Sequence, residues 1–103
     1  MSSDASGAHA QGSEETEIKS SVRSFIVGNF LFGSDDPMLT DDASFLRTGI
    51  IDSTGILELV AHVETSYGFV VEDEEMVPEN LDSLDNVSRF IGRKLRAREH
   101  QHT

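Results

Sequence analysis

Apolar residues recur at the spacing of an α-helix in three separate segments of this chain, and this periodicity limits the possible folds more than any other feature. In the first segment Ile18, Val22, Phe25 and Ile26 follow an acidic turn that suits the positive end of a helix dipole. The segment predicts a helix that begins near Glu14 and ends before Gly33.

The second segment predicts a helix from about Ser53 to Tyr67, with Gly68 as its C-terminal stop. One stripe of this helix is apolar and is expected to face a core; it comprises Ile56, Val60, Val63 and Tyr67. The opposite side comprises Thr54, Glu58, Ala61 and Thr65, with Leu57 at the boundary.

The third segment predicts a last helix that starts with Asp82 as its N-cap and has Asp85 three residues later. Its apolar stripe comprises Leu84, Val87, Ile91 and Leu95. Its basic residues lie near the negative end of the helix dipole, where they are stabilising.

The connection from Gly33 to Asp52 has neither a helical nor a strand period, and loops of this length are usually functional or disordered. Phe45 and Leu46 predict that it packs down, with a short helical turn. After the second helix we expect an extended piece over residues 69–71, an acidic run, and a short helix before Asn80.

These elements predict an all-α fold, a small four-helix bundle of three main helices and one short helix with a long first loop. Residues 1–13 are predicted to be a disordered tail, residues 14–98 the folded domain, and residues 99–103 a frayed tail. No apolar run reaches membrane-spanning length and the N-terminus lacks signal-peptide features, so we expect a soluble, cytoplasmic monomer.

The net charge is −11, and the stretch from Ser24 to Ser88 contains fourteen acidic residues but one basic residue, Arg47. Such a surface would repel nucleic acid and anionic lipid, and it would attract basic protein partners. An ordinary solvated face is an equally open interpretation.

Ser53 stands where the long loop meets the second helix, and Asp52 or Ser53 would serve as the helix cap. A nucleophilic serine is not expected, because Ile51 occupies the place of the first glycine in the G-x-S-x-G turn and no strands are predicted. The histidine of the predicted domain, His62, lies nine residues along the same helix and on its opposite side. We therefore predict no catalytic residues and no enzyme.

The carboxylate-rich stretches lack the spacing of a calcium loop, so we expect no metal site beyond weak, incidental binding; they are Asp35–Asp36, Asp41–Asp42 and residues 72–75. His62 is predicted to be a solvated residue of the helix surface rather than a ligand.

Gly55 in the first helical turn costs about 1 kcal/mol relative to alanine, so we expect something to approach the backbone there. The free amides and dipole of the helix N-terminus would accommodate a phosphate on Ser53. The chain has no cysteine, so sulfur chemistry would require an imported thiol.

The sequence GIIDSTGILELVAHVETSYGF, the acidic run after it, and ENLDSL before the last helix together resemble acyl or peptidyl carrier proteins over roughly residues 18–95. The resemblance implies that a magnesium-dependent phosphopantetheinyl transferase attaches a 4'-phosphopantetheine arm from coenzyme A to Ser53. Asp52 then belongs to the attachment motif, with Thr54 and Gly55 beside it. The arm's thiol would hold an acyl or aminoacyl group as a thioester.

The resemblance also implies that Leu57, Glu58 and Glu64 are docking residues for basic patches on partner enzymes, including an acyl or aminoacyl ligase of lipid or specialised-metabolite biosynthesis. Fatty-acid carriers usually have leucine and then an acidic residue after the serine, whereas this chain has Thr54 and Gly55. The G-I-I-D-S-x-G form is more similar to free-standing carriers that serve a dedicated ligase. The alternative is an unmodified acidic helical protein with a docking or regulatory role.

Overall fold

A computed structural model describes the backbone of residues 10–101 and the side chains of residues 14–98. Within those limits every regular element is helical. The α-helices are α1 (Ala10–Phe30), α2 (Phe45–Thr48), α3 (Ser53–Tyr67), α4 (Pro78–Leu81) and α5 (Leu84–Gln101), and a 3-10 turn covers Asp73–Glu75. The predicted all-α bundle is confirmed: α1, α3 and α5 are its three long helices, and α2 is the helical turn expected in the long loop.

Helix α1 begins at Ala10, four residues before the predicted start. The prediction for residues 1–9 lies outside the described residues. After Phe30 the chain reverses through Phe32 and Gly33, which both have positive φ, and the Gly33 amide donates to the Val27 carbonyl at 2.9 Å. This closure satisfies a carbonyl group of the last helical turn.

The core lies where the apolar stripes of α1, α3 and α5 meet the anchors of the long loop. Its fully buried members include Val22 from α1, Leu59 from α3, Ile91 from α5 and Phe45 from α2. The predicted stripe of α3 omitted Leu59, which is buried because a helical face is wide enough to hold several rows of side chains. The remaining core residues are Ile18, Ile26, Leu39, Ile51, Val60, Val63, Val71, Leu81, Leu84, Val87 and Phe90.

The cap of α5 differs from the prediction. Ser83, rather than Asp82, accepts a hydrogen bond from the Asn86 amide, at 3.0 Å. Asp82 closes α4 instead, so its carboxylate is free to reach back to α2, where it accepts from the Leu46 amide at 3.0 Å and from the Ser44 hydroxyl. Asp82 therefore joins the long loop to the start of the last helix.

Helix α5 runs to Gln101, three residues beyond the predicted end of the domain at Arg98. The predicted fraying of residues 102–103 lies outside the described residues. None of the helices in the described part of the chain combines the length and apolarity that crossing a membrane requires.

Candidate functional site

Ser53 is the first residue of α3, and its side chain is exposed. The sequence left either Asp52 or Ser53 as the cap, and the structure assigns Asp52: its Oδ1 accepts from the Gly55 amide at 2.7 Å. The Asp52 carbonyl accepts from the Ile56 amide at 3.0 Å, which closes the first turn. The Ser53 hydroxyl is consequently left out of the cap.

The backbone amides of Ser53 and Thr54 have no acceptor among the described residues, whereas the next two amides are satisfied by Asp52. Such orphan amides concentrate the positive end of the helix dipole. An anion bonded to the Ser53 oxygen would therefore lie beside two available donors.

Gly55 faces the interior and is buried. A β-carbon at this position would lie 2.7 Å from Ile51 Cγ2 and 2.8 Å from Phe30 Cε1, both too close for a real contact. The close approach that the sequence predicted at Gly55 therefore exists, but it comes from the protein's own core. Gly55 is part of the packing beneath Ser53 and is not open to an external group.

A groove of about 240 Å³ opens beside Ser53, between α3 and the chain that leads into α5. Apart from Ser53 and Asp82, its lining is apolar: Leu46, Ile56, Leu57, Met76, Val77, Pro78 and Leu81. We call it the Ser53 groove. Sequence reasoning did not place residues 76–81 next to Ser53, because no local pattern shows that this segment folds back across the start of α3.

The predicted docking residues have different environments. Leu57 is 57% exposed on the rim of the Ser53 groove, and Glu58 is exposed, with no ion-pair partner among the described side chains. Glu64 is half-buried, and its Oε2 accepts from the Val71 amide at 2.8 Å. Glu64 therefore secures the segment after α3 through one of its carboxylate oxygens.

His62 is half-buried and therefore less solvated than the sequence predicted. Its ring stacks on Phe25 with 3.9 Å between ring centroids, and its nitrogens lie 3.4 Å from the Ser66 hydroxyl oxygen. Burial lowers the pKa of His62. The imidazole packs α3 against α1 and does not contact Ser53.

Basic side chains of α1 hold acidic residues of the long loop and of α5. Lys19 contacts Asp85 at 2.7 Å and Asp41 at 3.2 Å, and the hydrogen bond to Asp85 is the main cause that raises the Lys19 pKa. Arg23 bonds both Asp35 and the Leu39 carbonyl, at 2.8 Å each. These contacts fix the long loop on α1.

The acidic run after α3 is organised in a similar way. The Glu72 amide donates to Glu75 at 2.9 Å, and this bond, helped by Lys94 at 2.9 Å, lowers the Glu75 pKa. Within the described side chains no three potential metal ligands come together.

No protein-family model matches the chain, and no curated protein matches it.

Proposed function

We propose that this protein is a non-catalytic carrier that transports acyl or aminoacyl groups as thioesters on a 4'-phosphopantetheine arm attached to Ser53. One observation carries the proposal: the Ser53 hydroxyl is exposed, has no part in the helix cap, and lies at the mouth of an apolar groove. A substituent on this oxygen would project from the bundle without displacing core side chains.

The first turn of α3 favours a phosphodiester at this position. The amides of Ser53 and Thr54 are available as donors, and the helix dipole attracts negative charge. Asp52 holds the first turn in shape through the Gly55 amide, so the backbone that carries Ser53 keeps a fixed position. The arm would supply the thiol that a chain without cysteine lacks.

The Ser53 groove supports a substituent with an apolar portion. Its walls are aliphatic, and its volume of about 240 Å³ is below the range of about 300–1,000 Å³ that encloses a small-molecule ligand. The groove would accordingly shelter a section of the arm or cargo and leave the rest accessible to partner enzymes. Solvent exposure of Leu46 and Leu57 on its rim provides an apolar contact for those partners.

Electrostatic recognition would come from Glu58 rather than Glu64, because only Glu58 is unpaired and exposed. Basic patches on a phosphopantetheinyl transferase and on an acyl or aminoacyl ligase would be the complementary surfaces. These enzymes would perform every bond-making and bond-breaking step.

The test is to incubate the purified protein with coenzyme A, magnesium and a broad-specificity phosphopantetheinyl transferase, and to measure the intact mass. We expect the mass to rise by one phosphopantetheinyl unit. The Ser53→Ala variant should show no gain, while Ser66→Ala, which removes another exposed serine of α3, should be modified like the wild type. A wild-type mass that stays unchanged would favour the unmodified acidic docking protein instead.

A further inference from the structure

The turn after α1 presents a phenylalanine to solvent. Phe32 is 96% exposed, whereas the two apolar residues before it, Phe30 and Leu31, pack against the core. Its ring therefore gains almost none of the stabilisation that burial of an aromatic side chain provides. Single exposed apolar residues are common on protein surfaces, so a role for Phe32 needs a second observation.

The backbone of Phe32 supplies that observation. Its φ is +56°, in the left-handed region, and the other residues with positive φ in the described part of the chain are glycines: Gly33, Gly49 and Gly68. A bulky L-residue is strained in this region, and glycine is not. Backbone strain of this kind is concentrated at functional positions. Neither the strain nor the exposure of Phe32 is explained by the stability of the fold.

Hydrogen bonds hold the turn on both sides of Phe32. The Gly33 amide donates to the Val27 carbonyl at 2.9 Å, and the Ser34 amide donates to the Leu31 carbonyl at 3.1 Å. The ring is thus carried outward by a turn of defined shape. An apolar side chain on a fixed turn loses less conformational entropy on binding than one on a flexible segment does.

Phe32 and Ser53 lie at the same end of the bundle. Phe30 Cε1 comes within 2.8 Å of the position of a β-carbon at Gly55. Phe32 follows Phe30 by two residues, and Ser53 precedes Gly55 by two residues. Two residues span at most about 7 Å. A standard interface covers about 800 Å² on each partner, roughly 30 Å across, so a protein centred on Ser53 has Phe32 within its reach.

Charge near Phe32 selects the kind of partner. Asp35 and Asp36 follow it in the same connection, and Asp36 has no ion-pair partner among the described side chains. A second copy of this chain would bring the same carboxylates and a further net charge of −11 against the turn, which opposes self-association. The surface fits a partner that has an apolar pocket beside basic side chains.

We propose that Phe32 inserts into an apolar pocket of the phosphopantetheinyl transferase and anchors that enzyme over Ser53. The inference rests on the proposed carrier function. Within that function the transferase must bring its own reactive groups to the Ser53 hydroxyl, whereas later enzymes act at the thiol of the arm. Aromatic side chains that enter a pocket of the partner are frequent anchors of protein interfaces. Phe32 is accordingly a positioning residue, which contacts the enzyme and not the reacting atoms.

The test measures initial rates of mass gain with coenzyme A, magnesium and a broad-specificity phosphopantetheinyl transferase, over a range of concentrations of the carrier. Phe32→Ala and Phe32→Gly should each raise KM about tenfold and leave kcat nearly unchanged, because only docking is weakened. Val70→Ala is the control. It removes another exposed apolar side chain, located beyond the opposite end of α3, and should behave like the wild type.

The two Phe32 variants also separate docking from folding. Alanine retains the strained backbone, whereas glycine adopts it freely, so Phe32→Gly should melt at a higher temperature than Phe32→Ala. Both variants should nevertheless show the same raised KM. A loss of docking in the more stable variant cannot result from unfolding.

Each alternative outcome is distinct. If the wild type is modified and both Phe32 variants match its KM, the docking role is overturned while the carrier function stands. If the wild type gains no mass, the carrier function fails and the docking role fails with it. If analytical ultracentrifugation shows that the wild type is a dimer and Phe32→Gly a monomer, the ring contacts a second copy and the proposal is overturned.

Discussion

Neighbouring residues at the start of α3 have different structural roles. Asp52 caps the helix, Ser53 points its hydroxyl to solvent, and Gly55 lets the helix settle against Ile51 and Phe30. The position of the first turn depends on Asp52 and Gly55, because a larger residue at position 55 would overlap Ile51 and Phe30. The free hydroxyl is therefore positioned by packing beneath it as well as by the cap.

This packing predicts that Gly55→Ala destabilises the fold by about 1–3 kcal/mol, because the added methyl group would overlap Ile51 and Phe30. Gly28→Ala in α1 is the matched control. Nothing lies within 4 Å of a β-carbon at Gly28, so this substitution should stabilise the fold by up to about 1 kcal/mol. Chemical denaturation of both variants measures the difference; equal stabilities would contradict the proposed contact.

The lowered pKa of His62 predicts that the stability of the fold depends on pH. Burial lowers its pKa in the folded protein from the ordinary value of 6.5, so protonation favours the unfolded chain. The free energy of unfolding should fall as pH drops below about 6.5 toward the lowered pKa. His62→Phe keeps an aromatic ring against Phe25 but cannot titrate, and its melting temperature should change less between about pH 7.5 and about pH 5.5 than that of the wild type. Identical pH profiles would show that His62 does not contribute.

At the scale of elements, the long loop between α1 and α3 behaves as a fixed part of the bundle. Phe45 is fully buried, Arg23 bonds the Leu39 carbonyl, and Asp82 bonds the Leu46 amide. The loop thus contacts both α1 and the beginning of α5. Because Leu46 also lines the Ser53 groove, these contacts determine the groove's shape.

Asp82→Ala should therefore destabilise the fold by about 1–3 kcal/mol, since it leaves the Leu46 amide and the Ser44 hydroxyl without their acceptor. Hydrogen exchange at the amides of α2 should accelerate more than exchange in α3. Glu79→Ala removes an exposed carboxylate nearby and should leave exchange in α2 unchanged. Uniform acceleration in every helix would contradict a local role for Asp82.

The sequence was sufficient to predict the three long helices and the start of α3 at Ser53, because helical periodicity and capping residues are local signals. It could not indicate which groups approach Gly55. A glycine in a sequence suggests that a close contact is present, but it does not identify the contacting residues, which here are Ile51 and Phe30. It also misassigned the cap at Asp82 and did not indicate the structural contact of Glu64, for a shared reason. Both carboxylates bond backbone amides of other segments, Leu46 and Val71, and such contacts depend on tertiary structure.

For the molecule as a whole, charge is divided between two distant regions. Around Ser53 the unpaired charged residue on α3 is Glu58, whereas α5 carries the exposed arginines Arg89, Arg93 and Arg96. If basic partners dock on this protein as proposed, the overall charge of −11 would attract them at long range. We expect acidic residues close to Ser53 to affect the association rate of such partners more than acidic residues far from it.

Glu58→Lys should slow association with the phosphopantetheinyl transferase several-fold, because it reverses a charge on the same helix as Ser53, the proposed attachment site. Glu17→Lys makes the same charge change on exposed α1 and should have a smaller effect. Added salt should weaken the association of the wild-type protein. Association rates measured by stopped flow that do not depend on salt would contradict electrostatic docking.

The central claim is that Ser53 carries the working arm of this protein. Its most direct test is the intact mass and peptide fragmentation of the protein isolated from its native cells. The account predicts a phosphopantetheine-derived adduct on Ser53, free or loaded with an acyl or aminoacyl group. An adduct on another residue, or a protein that is entirely unmodified, would contradict it.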